Sequence, residues 1–305
     1  MNPAFVLLLA LVGVGLVAGI WGIFIERQLF RVVTEEQSIA VLPAGANPIR
    51  VLHISDFHIA PWQRRKLRFI GDLANRVEFD LVVDTGDNLG HLAAIDPTLA
   101  AMRRLLAKPG VFVNGSNDYF APKFRNPFGY LAKPSERKSQ VRLDTKKLTD
   151  AFEAAGWLNL NNAAGRLVVG GTALAFVGVD DHHDGLSNLS GIGPAVAGLA
   201  AGGSALIGVS HAPYLAVIDA MNDAGVKLLF AGHTHGGQVC VPGYGALTTN
   251  CDLPTKAAKG LSSWSRGGNQ LWLQVCAGLG HSIFAPVRFA CPPEVRVLTL
   301  VAVSD

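Results

Sequence analysis

Short apolar runs rich in β-branched residues recur along the chain from residue 49 onward, separated by polar or glycine-containing turns. Runs of this length and composition predict buried strands. The predicted strands cover residues 49–55, 81–83, 111–113, 166–169, 173–179, 205–209, 227–230, 271–275 and 295–301. The second half of the chain is therefore expected to be the richer in strands.

Apolar residues at intervals of three and four predict helices between these strands. The helices are expected over 64–77, 97–107 and 213–223, and segment 185–204 predicts a loop followed by a weak helix. Proline stands at the start of the second helix and a Pro-Gly pair follows its end, which is the usual placement of these residues. The alternation of strands and helices in the first half predicts an α/β layered fold.

The N-terminal segment 3–25 contains no charged residue and is rich in Leu, Val, Ala and Gly. About 20 apolar residues suffice for a helix to cross a bilayer, and Trp21 stands near the end, where an interfacial anchor would lie. A cleaved signal peptide is the alternative, but it would have basic residues before a shorter apolar run. We therefore expect an uncleaved anchor over 1–25, a linker and opening strand over 26–47, and one large domain over 48–305.

The charges beside this segment predict the orientation of the chain. Arg27 and Arg31 follow the apolar run and no side-chain cation precedes it. By the positive-inside rule the large domain would then lie in the cytoplasm, carried by a single-pass cell-membrane protein.

Composition excludes some classes of protein. The 26 basic and 23 acidic residues give a net charge of only +3, so no nucleic-acid partner is expected. The four cysteines form no CxxC pair, which argues against a structural zinc site. A disulfide between Cys240 and Cys251 is one interpretation, and reduced, buried thiols are the one we prefer.

Polar clusters follow five of the predicted strands. They read Asp56-Phe-His58, Asp84-Thr-Gly-Asp-Asn88, Asn114-Gly-Ser-Asn-Asp118, Ser210-His211 and Gly232-His-Thr-His235. In α/β sheets, ligands bind beyond the carboxyl ends of the strands, so these clusters should converge. Carboxylate, amide and imidazole groups together are metal ligands. Residues i and i+2 of an extended segment point the same way, which suits the Asp-x-His and His-x-His spacings.

Each cluster alone is weak evidence. An isolated Asp-x-His is usually a surface turn, and His211 alone would more often be a structural histidine. The run Gly-His-Thr-His-Gly-Gly is more specific, because two histidines among three glycines suit neither a core strand nor a helix. The ordered occurrence of all the clusters, each directly after an apolar run, predicts a metal site.

The motif set resembles that of the calcineurin-like metallophosphoesterases, in particular their membrane-associated bacterial branch, in which GHTHGGQ precedes a proline-containing strand. The resemblance covers residues 48–302 and implies an α/β fold, a layered β-sandwich flanked by helices and preceded here by one transmembrane helix. It also implies two divalent metal ions, Mn, Fe or Zn. The first would be bound by Asp56, His58, Asp87 and His235. The second would be bound by Asp87, as the bridging ligand, with Asn117, His211 and His233.

The third motif departs from the family pattern, which has Asn as a ligand followed by a proton-handling His. An ungapped match places Ser116 at the Asn position and Asn117 at the His position. We favour Asn117 as the ligand, because an amide carbonyl binds metal better than a neutral hydroxyl, and Ser116 is the alternative. The usual histidine is missing either way. A substrate with a good leaving group, such as a pyrophosphate, would need it less.

Several other residues have expected roles. Asp87, Asn117, Asp118 and His211 are expected to serve in catalysis, with Asp84 and Asp118 orienting ligands through hydrogen bonds. The cluster Asp180-Asp-His-His-Asp184 could line the site, but a solvated loop is expected for His182, His183 and Asp184. His53 is expected to pack in the core, and His281 has no clear role.

Two basic segments follow ligand-bearing strands. Segment 119–147 carries eight cations against two acidic residues, with aromatic residues in its first part, and Arg64, Arg65, Lys66 and Arg68 form another basic run. Both could border the cleft and attract phosphate groups or anionic lipid, and ordinary surface loops are the alternative.

The combined expectation is a metal-dependent phosphoester hydrolase. A metal-bound hydroxide would attack a phosphodiester or pyrophosphate bond in a membrane- or lipid-linked substrate. The alternatives are a catalytically degenerate metal-binding membrane scaffold and a nuclease of the same fold.

Overall fold

The computed structural model describes residues 2–122, 141–199 and 206–303. Its first element is helix α1, Pro3–Ile20, which continues through a π-helical turn, Trp21–Ile25, and a 3-10 turn, Glu26–Gln28. The side chain of Asn2 accepts a hydrogen bond from the Ala4 N–H and so caps the helix. The whole segment Pro3–Gln28 is long and apolar enough to cross a membrane, and none of its most apolar stretch is buried. The helix predicted over the apolar segment is thus present and extends a few residues further, and it is a candidate membrane span.

The first large sheet has seven strands. They are β1 (Arg31–Thr34), β2 (Ile39–Leu42), β3 (Ile49–Ile54), β4 (Leu81–Asp84), β5 (Gly110–Phe112), β6 (Leu158–Asn159) and β15 (Glu294–Ala302). The order is β1-β15-β3-β4-β5-β6, and β2 also pairs with β15. Strands β3 to β6 are parallel to one another and β15 is antiparallel to β3. The carboxyl ends of β3, β4 and β5 therefore open at one edge.

The second large sheet has six strands. They are β7 (Ala164–Val169), β8 (Thr172–Gly178), β9 (Leu206–Val209), β10 (Leu228–Ala231), β13 (Gly260–Arg266) and β14 (Asn269–Val275), in the order β13-β14-β10-β9-β8-β7. The four central strands are parallel, and β7 and β13 are antiparallel edges. A separate two-stranded hairpin consists of β11 (Cys240–Val241) and β12 (Gly245–Ala246).

The two sheets pack face to face. One apolar cluster joins Val51, Val83 and Val111 of the first sheet to Phe176 and Phe230 of the second, and all five are buried. Strands buried on both faces are expected where helices cover the outer sides. The outer helices described are α2 (Arg64–Arg76), α3 (Ile95–Met102), α4 (Ser116–Tyr119), α5 (Thr145–Ala154), α6 (Ile192–Ala197) and α7 (Leu215–Asp223). The molecule is thus the expected layered β-sandwich flanked by helices.

Helices α2, α3 and α5 pack on the outer face of the first sheet. Phe69 and Ile70 of α2 and Phe152 of α5 meet Leu52 and Phe112 of the strands. Helix α7 covers the second sheet through Ile218 and Met221. The predicted strands and helices are present with ends shifted by a few residues, although α3 ends earlier than predicted. Of segment 185–204, the described part forms a 3-10 turn and α6, and residues 200–204 lie outside the described residues.

Candidate metal centre

The polar clusters that follow β3, β4, β5, β9 and β10 meet at one edge of the sandwich. The side chains of Asp56, His58 and His235 lie together, as do those of Asp56, Asp87 and His211, with the ligand atoms of each group within 4.8 Å of one another. Each group combines carboxylate and imidazole, the donor set that suits divalent transition-metal ions. The structure therefore brings together five of the predicted ligands.

The spacing of these atoms fits ligands that share an ion. Asp56 Oδ1 lies 3.6 Å from His235 Nε2 and 3.9 Å from His58 Nε2. Asp87 Oδ2 lies between His58 Nε2, at 3.4 Å, and His211 Nε2, at 3.5 Å. These separations exceed good hydrogen-bond lengths. Two ligands about 2.1 Å from a tetrahedral ion would lie roughly 3.4 Å apart.

Buried polar atoms without partners provide an independent indication. Asp56 Oδ1 and both ring nitrogens of His58 make no hydrogen bond within the part of the chain that the structure describes. Buried polar atoms in native proteins nearly always have a partner, so each such atom needs an explanation. A bound cation would satisfy Asp56 and one nitrogen of His58, and the residues present therefore fit a metal ion.

The backbone is strained where the candidate ligands stand. Positive φ angles occur at Asp56 (49°), His58 (43°), Asp87 (58°), His233 (67°) and His235 (51°). Non-glycine residues rarely adopt this conformation, and such strain is concentrated at functional sites.

Two glycines allow the clusters to approach one another closely. A Cβ on Gly115 would lie 2.3 Å from Asp87 Oδ1, and one on Gly232 would lie 2.5 Å from Asp56 Oδ2. Only glycine fits at these two positions.

Asp118 and Asp84 position the turns instead of pointing at the ligand atoms. Asp118 accepts hydrogen bonds from the backbone N–H groups of Asp87 (2.8 Å), Asn88 (2.8 Å) and Gly115 (3.0 Å). Asp84 accepts from the Gly86 N–H and from Asn88 Nδ2. Burial raises the pKa of Asp84 to about 7. These contacts agree with the predicted orienting role of Asp84 and Asp118.

Asn117 contacts the central carboxylate. Its backbone N–H donates to Asp87 Oδ1 and its Nδ2 donates to Asp87 Oδ2, both at 2.7 Å. The amide nitrogen thus faces Asp87, which leaves the amide oxygen as the atom that could bind a cation. That Asn117 is a ligand, and Ser116 is not, stays a prediction.

His211 and His233 lie side by side. His211 Nδ1 is 2.8 Å from the Thr85 carbonyl oxygen, which directs Nε2 toward Asp87 in the manner of a metal-binding histidine. Burial lowers the pKa of His211, but the carboxylates of Asp87, Asp56 and Asp181 together raise it to about 9. His233 Nδ1 lies 3.4 Å from His211 Nε2. His233 belongs to neither group of clustered ligand atoms, and its role stays a prediction.

The loop after β8 lies closer to the site than expected. The ring of His183 is 4.7 Å from that of His233, and its Nδ1 is 2.8 Å from the Tyr214 hydroxyl. Asp181 is fully buried and accepts a hydrogen bond from the His183 N–H. His182, His183 and Asp184 lie in turns, as expected for a loop, but they are half-buried, and His183 packs beside His233. His53 is a core residue as expected, with its ring edge-on to Phe230.

Arg288 is a residue of the site that the sequence did not single out. It is fully buried, and its guanidinium donates to the carbonyl oxygens of Ala277 (2.7 Å) and Gly280 (2.7 Å) and lies 3.3 Å from His235 Nδ1. It stands in an irregular segment without a motif, so no local pattern could have indicated it.

The basic run 64–68 is not a uniform cationic surface. Lys66 is buried and donates to the Phe57 carbonyl oxygen at 2.7 Å, whereas Arg64, Arg65 and Arg68 are exposed. Lys66 therefore supports the Asp56–His58 turn instead of facing the cleft.

Much of the basic segment 119–147 lies outside the described residues, including Lys123, Phe124, Arg125, Phe128, Tyr130, Lys133, Arg137 and Lys138. In the part that is described, Arg142 stacks on Phe120 and Lys147 pairs with Asp96. The four cysteines are free thiols and three of them are buried, in agreement with the preferred interpretation.

A strained, buried cluster of carboxylates and imidazoles at the carboxyl edge of a β-sandwich is suited to bind metal ions. The family model of the calcineurin-like phosphoesterases matches residues 49–237, which is more than half of the chain. The chain therefore belongs to the calcineurin-like phosphoesterase family, a family of metallophosphoesterases that use divalent metal ions.

Two curated relatives are both described as a transmembrane protein with metallophosphoesterase domain. The protein of Danio rerio is 24% identical over 232 residues, which cover 73% of this chain and 48% of that protein. The protein of Bos taurus is 25% identical over 234 residues, with the same coverage of 73% and 48%. The chain thus spans about half the length of the curated relatives it matches.

Solved structures resemble the chain more distantly. The NAD nucleotidase of Haemophilus influenzae is 12% identical with a TM-score of 0.42, over 76% of this chain and 51% of that one. A phosphopantetheinyl hydrolase of Mycobacterium tuberculosis is 11% identical with a TM-score of 0.39, and the match covers 83% of this chain and 98% of that protein. Similarity at this level adds nothing to the family assignment.

Proposed function

We propose that the protein hydrolyses a phosphodiester or pyrophosphate bond in a membrane- or lipid-linked substrate, using two divalent metal ions. The observation that carries the proposal is the position of Asp87, whose Oδ2 lies within 3.5 Å of His58 Nε2 on one side and His211 Nε2 on the other. A carboxylate between two imidazoles, each belonging to a different ligand group, is the arrangement that a bridging ligand requires.

The proposed ligands divide into two sets that share Asp87. Asp56, His58, Asp87 and His235 would hold the first ion, and Asp87, Asn117, His211 and His233 would hold the second. Two such ions would supply Lewis-acid charge to the phosphate and lower the pKa of bound water. The residues of the chain hold this arrangement rigidly, since Asp118 fixes the Asp87 turn and Arg288 contacts His235.

The preference for a good leaving group rests on the third motif. Asn117 stands where the family pattern has a histidine, and a neutral amide donates hydrogen bonds but is too weak an acid to transfer a proton to a leaving alkoxide. Phosphate or an acidic phenol leaves without such help. Alkyl phosphomonoesters that proved far better substrates than activated diesters or pyrophosphates would refute this preference.

The membrane-linked substrate is supported by the N-terminal segment. Helix α1 and its continuation to Gln28 would anchor residues 1–25 as a single span in the cell membrane, with residues 26–47 leading into a catalytic domain, 48–305, on the cytoplasmic side. An enzyme fixed beside a bilayer meets substrates embedded in that bilayer at high effective concentration.

The test compares two chromogenic substrates. The full-length protein, purified in detergent and stripped of metal, is assayed with bis-p-nitrophenyl phosphate and with p-nitrophenyl phosphate, before and after addition of Mn²⁺. We expect Mn²⁺-dependent cleavage of the diester that exceeds cleavage of the monoester. Asp87→Asn should abolish it, whereas Asp72→Asn, a matched change on the exposed face of α2, should retain it.

Equal activity of Asp87→Asn and wild type would contradict the proposed bridge. If wild-type protein binds Mn²⁺ but cleaves neither ester, nor a pyrophosphate-linked lipid presented in vesicles, the chain is a metal-binding scaffold and not an enzyme.

A further inference from the structure

An exposed apolar surface lies beside the end of the N-terminal helix. It consists of the hairpin segment 239–247 and the loop 283–287, and neither contains a charged residue. Tyr244 is 75% exposed, and Val239, Val241, Leu247 and Phe284 are also exposed. We call these two segments the hairpin surface. Large contiguous apolar patches are uncommon on soluble surfaces and usually mark a contact with a partner or a membrane.

Backbone hydrogen bonds tie the hairpin surface to the helix. The Arg288 N–H donates to the Gly22 carbonyl oxygen at 3.2 Å, and the Cys240 N–H donates to the Phe289 carbonyl oxygen at 2.8 Å. Segment 288–289 thus lies between the helix and the hairpin. A Cβ on Gly22 would come within 2.8 Å of the Arg288 carbonyl oxygen, so the two backbones are in close contact.

Glu26 fixes the same junction. Its carboxylate is buried and accepts hydrogen bonds from the backbone N–H groups of Cys291 (2.6 Å) and Ala290 (3.0 Å) and from Trp21 Nε1 (2.7 Å). The direction in which the helix leaves the domain is therefore set by the fold and not by a flexible linker.

The junction also sets the depth of the hairpin surface. Gly22 lies four residues before Glu26, which corresponds to about 6 Å along a helix at 1.5 Å per residue. A loop that contacts Gly22 therefore stands level with the end of the apolar segment, where a membrane span meets the headgroups. Tyr and Trp side chains favour this interfacial layer. Trp21 donates to Glu26 at the junction, and Tyr244 lines the same cavity as Ala290, which also contacts Glu26.

One exposed lysine, Lys256, adds positive charge beside the surface. A cavity of about 680 Å³ beside the hairpin is lined by Tyr244, Lys256, Lys259 and Ala290 among others, and the Lys259 ammonium points inward to Cys291 Sγ at 3.6 Å. Cations beside an apolar, aromatic surface suit the anionic headgroups of a bilayer leaflet. This pairing of charge and apolar area favours a lipid surface over a second protein.

We propose that the hairpin surface rests in the headgroup layer of the bilayer that helix α1 spans, with Lys256 facing anionic lipid. This inference depends on the proposed membrane span and not on the proposed chemistry. It gives the catalytic domain a second attachment, which holds it in one orientation against the membrane.

Depth-dependent quenching tests the proposal on the full chain. Cysteine is introduced at position 244 (Tyr244→Cys), in α1 (Leu16→Cys) and on the remote strand β7 (Val168→Cys), and each is labelled with an environment-sensitive dye. The wild-type chain labelled in parallel gives the background from the natural thiols. The proteins are reconstituted in phosphatidylcholine–phosphatidylserine nanodiscs with and without lipids that carry a quenching spin label.

We expect quenching at 244 and 16, none at 168, and weaker quenching at 244 when Lys256→Glu is added. Quenching at 16 without quenching at 244 would overturn the hairpin surface and leave the span intact. Quenching at neither position would overturn both, while the phosphoesterase assay in detergent would be unaffected. A blue-shifted dye at 244 that spin-labelled lipid does not quench would identify a protein partner, such as a second copy, and would also overturn the proposal.

Discussion

The third motif, at residues 114–118, departs from the family pattern, but hydrogen bonds still hold its loop against the Asp87 turn. Asn117 donates two hydrogen bonds to Asp87, one from the backbone and one from the side chain. The neighbouring Asp118 accepts from the backbone of both turns. Asp118 holds the loop whichever residue stands at position 117. The histidine of the family pattern could therefore be replaced by Asn117 without loss of the loop conformation.

Substitution of Asn117 should reduce diester turnover and Mn²⁺ affinity much more than substitution of Ser116. We expect Asn117→Ala to lower diester turnover and Mn²⁺ affinity by about 10–100-fold, the usual cost of losing a ligand or its immediate partner. Ser116→Ala, the matched control, should change either quantity by less than about threefold, because in this account the hydroxyl binds no ion. Metal titration followed by initial-rate measurements gives both values. A larger loss for Ser116→Ala would transfer the ligand role to Ser116.

The sequence indicated the candidate ligands because each stands in a motif directly after an apolar strand. It could not indicate Arg288, which reaches His235 from an irregular segment far along the chain. Nor could it place His183 beside His233, since that contact depends on how two loops pack. Residues that act through tertiary contacts leave no local pattern.

At the scale of elements, the junction between the N-terminal helix and the sandwich is held mainly by Glu26. Glu26→Ala would leave the Ala290 and Cys291 N–H groups buried without their acceptor, which costs about 1–3 kcal/mol for each unsatisfied group. We expect a lower unfolding temperature of the full chain in detergent and faster amide exchange over 288–291. Glu36→Ala, at an exposed position, serves as control. Unchanged exchange at 290 and 291 would show that the junction does not depend on this carboxylate.

A second acidic residue links the strands β1 and β15. Glu294 is buried and lies opposite Arg31 in the parallel pair, with hydrogen bonds from Arg31 and Arg296 at 2.8 Å. Burial raises the pKa of Glu294, but the charge of Arg296 and the Arg31 hydrogen bond outweigh it and lower the pKa below its usual value of 4.5.

A lowered pKa in the folded state makes stability depend on pH in a defined direction. The contribution of Glu294 is fully present above the unfolded-state pKa of about 4.5 and is lost as the pH falls through the lower folded-state value. Glu294→Gln should therefore flatten the fall in unfolding free energy below that pH, as measured by denaturant titrations at a series of pH values. A slope identical to that of wild type would show that Glu294 does not contribute to acid unfolding.

Apolar periodicity predicted the central strands because they are buried on both faces. It missed β13, Gly260–Arg266, whose sequence Gly-Leu-Ser-Ser-Trp-Ser-Arg is largely polar, because no residue of this edge strand is fully buried. It also missed helix α5, which begins within the segment interpreted as a basic insertion. Strand β6, with two residues, is too short to give a periodic signal.

At the scale of the whole molecule, the sandwich, the helix junction and the metal site form one connected unit. Residues 288–291 contact the N-terminal helix through Gly22 and Glu26 and contact His235 through Arg288. The proposed metal site is therefore joined to the candidate membrane span by a short run of buried contacts. In this account, the position of the catalytic edge relative to the bilayer is a property of the fold.

The two-metal site is tested by the rate of diester cleavage as Mn²⁺ is returned to the metal-free, full-length protein. If two ions act together, little activity should appear with the first equivalent, and the rate should rise through the second equivalent and then level off. Asp87→Asn should show no such rise. Activity in the metal-free protein, or a rate that is complete after one equivalent, would contradict the two-metal site.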